Sequence, residues 1–524
     1  MKSFRCLGVL VSALAFIFIF NIYAKTIYIL NFNDFHSMIY HNKTNNIPGM
    51  IFFMNAIFSE IKKYGRDNVV LISGGDNYQG TVVSYDTKGA PISDMFRELG
   101  VNFSAVGNHE FDWEQKAFDK WQKDGNFVYL AANVVNKENG KTPAWFAPYK
   151  MVKVDGVKIA FIGLSTIATG ITTKPKNLEG LKITEPWGAA QYWIDYLNAS
   201  KDENGVPDII VALTHIPSAQ DKNTGEIVGE EINNLCLNTK GFDVVISAHS
   251  HETVCGRINE VLVIQAECYG RKYGVIKIDI DDRTKIVNKI EAKVCSVPTD
   301  VKILSENNGE RILAKYSDIE KKYSEVIGES AMTLHYNKLT VNALGVYMAK
   351  IVNESIINSQ IAFINGLGIR GGLEKGDITL GDIYRIFPFK NTIVSMKLSG
   401  KSIKAVMEHG LDNYGNNKVG CIQFCGMKVV FDHSKPVGNR VVSMILNNGQ
   451  EIQMAKYYSI CINDFMFSGG DNYKFDGATD IKVYNNLLVR DILIDCIKKE
   501  KFLTLPEPDC LTDLAEKQRL KESA

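Results

Sequence analysis

Apolar and polar positions along the first half of this chain alternate between short, nearly continuous apolar runs and longer mixed segments. Five runs stand out: Thr26–Leu30 (TIYIL), Val69–Ile72 (VVLI), Phe103–Val106 (FSAV), Ile209–Leu213 (IIVAL) and Val244–Ser247 (VVIS). Runs this short and this rich in β-branched residues predict buried strands. VKIAFIGL (Val157–Leu164) and VIKIDI (Val275–Ile280) add two more, and Ala189–Asn198 has the spacing of a helix. Strands alternating with helices predict an α/β layered fold over residues 25–300. Ile303–Val326 is charged and helical in pattern, which suits a solvated linker between domains over residues 301–326. A second α/β region occupies residues 327–505, with a helix near Ala343–Asn358 and strands at Ile361–Ile364, Thr392–Leu398 and Lys428–Phe431. Residues 506–524 read as a charged, frayed tail. No internal repeat or low-complexity tract interrupts this pattern.

The candidate chemistry lies at the ends of the five runs. Each ends beside residues able to bind a metal: Asp34 and His36, then Asp76, then Asn108 and His109, then His215, then His249 and His251. In open α/β sheets, ligands gather outside the carboxyl ends of the strands. Asp34 and His36 are alternate residues, so an extended segment would turn both side chains the same way. Taken singly, each residue has a plainer explanation. A histidine after a strand can be a hydrogen-bonded loop residue, Asp76 in GGDN a turn former, and Asn108 in GNHE a helix cap. His251 alone could support a ligand without being one. Together they form one chemical type repeated at equivalent strand ends. Carboxylates with imidazoles suit Zn²⁺, Mn²⁺, Fe or Co²⁺ better than Ca²⁺, and no cysteine joins the set.

Composition narrows the class. A chain of 524 residues predicts two to four domains. Its 45% hydrophobic and 23% charged content is that of a globular protein. Lys+Arg and Asp+Glu balance at 59 each, so nothing in the charge announces nucleic acid or an anionic membrane as partner. Lys2 and Arg5 precede an apolar stretch, Cys6–Phe20, and Ala24 offers a small residue at a cleavage point. Residues 1–24 therefore read as a secretory signal peptide, with a secreted or periplasmic mature chain starting near Lys25 and not inserted in a membrane. The alternative is an uncleaved anchor. Ten cysteines, one of them in the leader, form no disulfide framework legible in the sequence. Cys421 and Cys425 lack the second pair and the local histidine that a zinc site needs.

The segments NDFHS (Asn33–Ser37), GGDNYQGT (Gly74–Thr81), GNHEFDW (Gly107–Trp113), THIP (Thr214–Pro217) and AHSH (Ala248–His251), in this order, resemble the calcineurin-like metallophosphoesterases. In particular they are similar to the secreted 5′-nucleotidase family, and the likeness spans nearly the whole mature chain. The resemblance implies a four-layer α-β-β-α sandwich followed by a second α/β substrate-recognition domain. It implies two divalent ions (Zn, Mn or Co), one held by Asp34, His36, Asp76 and His251, the other by Asp76, Asn108, His215 and His249, with Asp76 shared. Two cations about 3.5–4 Å apart can share and acidify a water that attacks phosphorus. By the same resemblance His109 stabilises the transition state or the leaving oxygen. Asp112, three residues on, can orient it through a carboxylate–imidazole hydrogen bond, or can be a first-turn acid favoured by the helix dipole. The family usually has Asn or Gln where this chain has His251. His41, His335, His409 and His433 lack such context and read as surface or structural.

In the second region NGLGIRGG (Asn365–Gly372) resembles the family's Asn-Gly-Gly-Gly-Ile-Arg loop, which implies that Asn365 and Arg370 meet substrate. Arg370 supplies a planar charged fork. Phe389 (in FPFKN) and Phe465 (in NDFMFSGGDNY) fall where the family sandwiches a base, and Asp471 where it holds a ribose. Two departures stand out. The family's Arg-x-x-Glu is replaced by Lys338–Val341 (KLTV), and Leu367 takes the place of a glycine. The resemblance implies a small-molecule nucleotide as partner and release of phosphate from nucleoside 5′-monophosphates, with cyclic or sugar-linked nucleotides as further substrates. The rival readings are hydrolysis of 2′,3′-cyclic nucleotides or thiosulfonates on the same scaffold, and a secreted binding protein with an inactive site.

Overall fold

In a computed structural model, residues 24–43, 45–412, 414 and 420–523 are described. The leader on which the export reading rests lies outside them. The chain divides into two compact units. Of the described residues, one unit holds those in 24–79, 87–170 and 178–315, the other those in 80–86, 171–177 and 316–523.

All five apolar runs of the first unit are strands, distributed over two six-stranded sheets. One sheet runs in the order Val287–Ser296, Lys272–Asp281, Ala24–Phe32, Val69–Ser73, Phe103–Ala105, Val128–Leu130. The other runs Thr253–Ile258, Val261–Ala266, Val244–Ile246, Ile209–His215, Val157–Ser165, Tyr149–Val154. Side chains alternate across each strand, and here both faces are apolar. Ile27, Ile29, Val70, Ile72 and Phe103 meet Ile159, Phe161, Val211, Leu213 and Ile246 in one core between the sheets. The outer face of the second sheet (Ala160, Ile162, Leu164, Ile210, Ala212) buries against Ala190, Ile194 and Leu197 of the Pro186–Asn198 helix and Ile232 and Leu235 of the Glu230–Asn238 helix. On the first sheet's outer side, Phe32 meets Phe53 and Phe96 edge-on, at 5.0 and 5.7 Å between ring centroids. Those rings come from the Gly49–Tyr64 and Ala90–Leu99 helices. The result is the four-layer α-β-β-α sandwich. Strands Ala24–Phe32, Val69–Ser73 and Phe103–Ala105 pair in parallel, as do Ile209–His215 and Val244–Ile246. Their carboxyl ends, and the residues just beyond, therefore share one end of the sandwich.

The second unit is built on a five-stranded sheet in the order Gln423–Cys425, Ile361–Ile364, Tyr457–Asn463, Thr392–Ser399, Thr479–Leu488. Its Ile361–Ile364 strand shows strict alternation. Ile361 and Phe363 enter a core with the Gly400–Leu411 helix and a three-stranded sheet. Ala362 and Ile364 enter a second core with the Ala343–Glu354 and Val489–Glu500 helices.

Two sequence expectations are corrected. The linker is two helices, Gly309–Ala314 and Ser317–Tyr323. Each is tied to its own unit, the first through Lys315 Nζ to Asp94 Oδ2 at 2.8 Å, the second through Tyr323 ring-packed on Tyr384 at 4.9 Å. The charged end of the chain is ordered. Leu511–Asp513 pairs in parallel with Met427–Phe431, where buried Asp513 accepts from His433 Nδ1 at 2.5 Å, and Leu514–Ser523 is helical. Among the described residues, nine cysteines are free thiols, and no helix is long and apolar enough to cross a membrane.

Candidate metal centre

The ligand-bearing residues emerge from the strand ends on tight, left-handed turns. Asp34, His36, Asp76, His249 and His251 all have φ between 49° and 69°. Backbone bonds lock the first two turns together: Asp34 N donates to Gly75 O at 2.9 Å and His36 N to Asp76 O at 3.0 Å. Gly107 permits the third turn to approach, since a Cβ there would lie 2.1 Å from Asp76 Oδ1.

These turns bring two ligand sets together, Asp34–His36–His251 and Asp76–His215–His249. In the first, His36 Nε2 and His251 Nε2 face each other at 3.1 Å, with Asp34 Oδ1 at 3.9 and 3.4 Å from them. In the second, His249 Nδ1 and His215 Nε2 are 3.2 Å apart. Asp76 Oδ2 joins the sets, at 3.1 Å from His215 Nε2 and 3.9 Å from His36 Nε2. Asn108, buried at the head of the short His109–Asp112 helical turn, belongs to the same cluster of loops. The His109 ring lies 5.4 Å from the His36 ring, and its Nδ1 bonds Asp112 Oδ2 at 2.7 Å, the carboxylate–imidazole pair that the spacing predicts.

Electrostatics fit a cation-binding site. Burial drives the His36 and His249 imidazoles down to about 3, so both are neutral and their lone pairs free at physiological pH. Burial opposes the charge on Asp76, but His215 and His109 outweigh it and hold that carboxyl well below its ordinary value. Burial acts likewise on Asp34, and His251 leads the groups that bring it below its ordinary value. The same contacts drive His215 up to about 10 against its own burial, chiefly through Asp76. Asp34 Oδ1 is fully buried without a hydrogen-bond donor. Paired imidazole nitrogens turned toward each other beside a donorless carboxylate oxygen are what a divalent ion requires. The fold with its two ligand sets implies a dimetal centre.

Several residues that hold this site give little signal in the sequence. Glu110, fully buried, accepts from the backbone N–H groups of Asp76, Asn77 and Gly107, each at 2.8 Å. It thereby ties the Asp76 turn to the Asn108 turn. His36 Nδ1 lies 3.1 Å from Gln79 O, and His215 Nδ1 2.7 Å from Gly74 O, which orients both rings with the other nitrogen toward the site. Glu110, Gln79 and Gly74 all lie inside the GNHEFDW and GGDNYQGT blocks, but nothing in those blocks marks which main-chain groups they meet.

In the second unit Asn365 and Asp471 are buried together. Asn365 Nδ2 donates to Asp471 Oδ2 at 2.8 Å, and Asn463 Nδ2 donates to Asn365 Oδ1 at 2.8 Å. Arg370 is exposed, its guanidinium 5.6 Å over the Phe389 ring. Half-buried Phe465 covers Gly470, where an added Cβ would meet the ring at 2.5 Å. His409, which reads from the sequence as structural, donates from Nε2 to Asp471 O at 2.8 Å and so belongs to this network.

A sandwich with this dimetal arrangement defines a metallophosphoesterase domain, and residues 27–253 match the Calcineurin-like phosphoesterase family. Residues 324–477 match the 5′-nucleotidase, C-terminal domain. With both domains in this order, the chain belongs to the 5′-nucleotidase family. It is 29% identical to Endonuclease YhcR of Bacillus subtilis over 84% of this chain, and spans only 37% of that protein. It is 25% identical to the Bos taurus 5′-nucleotidase over 87% of this chain and 85% of that one. The crystal structure of a 5′-nucleotidase precursor from Thermus thermophilus has the same fold, with a TM-score of 0.80 at 23% identity, covering 94% of this chain and 99% of that chain.

These contacts make two measurable demands. Glu110→Ala strands three buried N–H donors, each worth about 1–3 kcal/mol when left unpaired, so the urea midpoint of the first unit's transition should fall by the equivalent of about 3 kcal/mol or more. An unchanged midpoint would remove the tie between the turns. Asp471 titrates at about 6, raised from 3.8 by burial against the Asn365 hydrogen bond. A carboxyl with a raised folded pKa stabilises fully below about pH 4, and that contribution is lost as pH climbs through 6. The thermal midpoint should therefore drop from pH 5 to pH 7.5, and Asp471→Asn should flatten the drop by on the order of 1–3 kcal/mol. Parallel profiles for the two proteins would show that Asp471 does not titrate in this range.

Proposed function

We propose that this chain is an exported metal-dependent phosphohydrolase that releases phosphate from nucleoside 5′-monophosphates. The observation that carries the reading is the pair of ligand sets joined by Asp76, with the His109–Asp112 pair beside them. Asp34, His36, Asp76 and His251 would hold one divalent ion (Zn, Mn or Co), and Asp76, Asn108, His215 and His249 the other. When bound, the two ions supply Lewis acidity and an activated water for attack on phosphorus.

The chain's own groups do the rest. His36 and His249 enter the site neutral, and Asp34 and Asp76 enter charged. Asp76 Oδ1 is held by the His109 N–H at 2.9 Å, which leaves Oδ2 for the shared position. Asp112 accepts from His109 Nδ1, which fixes the orientation of the ring. His109 is thereby placed to stabilise charge on the phosphoryl oxygens or to give a proton to the leaving oxygen.

Nucleoside recognition falls to the second unit. Phe389 and Phe465 supply aromatic faces for a base, Asn365 and Asp471 polar groups for base and ribose, and Arg370 a guanidinium already set over Phe389. The family likeness and the Bos taurus relative's name support this substrate class. Lys338–Val341, where the family has Arg-x-x-Glu, is the place to look for a shift in nucleotide preference. The apolar leader supports export to a secreted or periplasmic location.

Phosphate release from AMP should disappear on dialysis against a chelator and return with Mn²⁺, Zn²⁺ or Co²⁺. Full activity of the stripped protein sinks the mechanism. Base stacking is worth roughly 1–3 kcal/mol, so Phe465→Ala should raise KM for AMP about 5- to 150-fold and leave KM for p-nitrophenyl phosphate nearly unchanged. Equal effects on both substrates would take the base away from Phe465.

A further inference from the structure

The segment Ala266–Arg271 leaves a strand of the second sheet and bends back onto the Asn33–Asp34 turn. Ala266 N donates to Asn33 Oδ1 at 2.8 Å, Asn33 Nδ2 donates to Glu267 O at 2.6 Å, and Tyr269 N donates to Asp34 O at 2.8 Å. Three residues of this short segment sit on left-handed backbone: Glu267 (φ 58°), Tyr269 (φ 60°) and Gly270 (φ 67°). For an aromatic residue this is an outlier, and such strain persists only where the surroundings over-determine it.

The place of the ring is what over-determines it. Tyr269 lies edgewise to both histidines of one ligand set, its centroid 5.7 Å from the His36 ring and 5.4 Å from the His251 ring. Those two imidazoles are themselves 5.0 Å apart, so the three rings form a closed triangle. The Arg271 guanidinium lies 5.0 Å over the Tyr269 ring. Arg271 is in turn anchored by Asn45 O at 3.0 Å and Asn46 O at 3.2 Å. His36 has its own anchor in Gln79 O. The His251 side chain is 29% exposed, against 3% for His36, so it has less packing of its own to hold it.

We propose that Tyr269 is the positioning residue of the Asp34–His36–His251 set, holding the His251 imidazole against one metal position while leaving the Asp76–His215–His249 position untouched. This rests on the dimetal reading above. The test uses the full chain stripped of metal and titrated with Co²⁺, with stoichiometry and the visible d–d spectrum as readouts. Wild type should take up two equivalents. Tyr269→Asn is the main variant because Asn accepts left-handed backbone, so it relieves strain while removing the ring. It should keep one ion at wild-type affinity and bind the other about 10- to 100-fold more weakly, the range typical for lost support of a metal ligand. Tyr269→Phe keeps the ring and should bind both ions as wild type does. In the His251→Asn background, Tyr269→Asn should have little further effect on the weakened ion.

A purely packing role predicts the reverse for Tyr269→Asn: a raised thermal midpoint with two ions bound normally, which would overturn the proposal. So would loss of both ions together, or a full additional loss in the His251→Asn background. Uptake of fewer than two equivalents by wild type would instead remove the dimetal reading, and this proposal with it.

Discussion

A carboxylate that is 1% exposed, on a left-handed turn, within reach of two imidazoles from different strand ends is a costly object to fold. An ion taken out of water loses several kcal/mol of hydration unless charge and hydrogen bonds replace it. Asp76 has both. The His109 N–H takes one oxygen, His215 faces the other, and Glu110 grips its backbone. The turns of the sandwich end are organised around keeping that group charged and in place. Asp34 and His36 are stitched to the Asp76 turn by backbone bonds, His215 reaches Gly74 O, and His249 N donates to Asp34 Oδ2 at 3.0 Å. No single turn can be displaced without exposing a donor or stranding a charge. The two sheets supply the rigid frame, since their parallel strands end at one level and their shared apolar core fixes the spacing between them.

Much of this is legible in the sequence because burial and chemistry coincide along the strands. Runs such as IIVAL and VVIS are apolar on both faces, which only a strand covered on both sides tolerates, and each delivers its ligand within a few residues of its end. The His109–Asp112 hydrogen bond lies within a three-residue spacing, one of the two arrangements that spacing allows. Support that acts through backbone atoms is not legible. Glu110 and Gln79 fix the site through main-chain N–H groups and carbonyls, and a sequence does not say which main-chain groups will be close. Tyr269 lies in QAECYG, where nothing marks an aromatic residue for a left-handed turn beside two histidines that precede it by 18 and 233 positions.

The second unit shows the same division. Strand alternation such as Ile361–Ile364 is readable, whereas the partners of the last strand are not. Charge in residues 506–524 suggests a loose end, yet Leu511–Asp513 completes a sheet because Asp513 finds His433 and the N–H of Ala515, at 2.5 and 3.1 Å. Local composition cannot reveal a partner 80 residues away. His409 escapes a local reading for the same reason: its bond to the Asp471 carbonyl spans 62 residues.

The left-handed conformation at five candidate ligand positions carries a consequence for how this centre can vary. Among residues with a β-carbon, that region of backbone space is populated chiefly by Asn, Asp and His. Those are also side chains that offer oxygen or nitrogen to a divalent ion. Geometry thus acts as a filter upstream of chemistry, admitting a small alphabet whose members can all coordinate. An exchange inside that alphabet leaves the turn intact and alters only donor reach and softness. Metal preference can drift among descendants of such a scaffold while the loops that display the donors stay fixed.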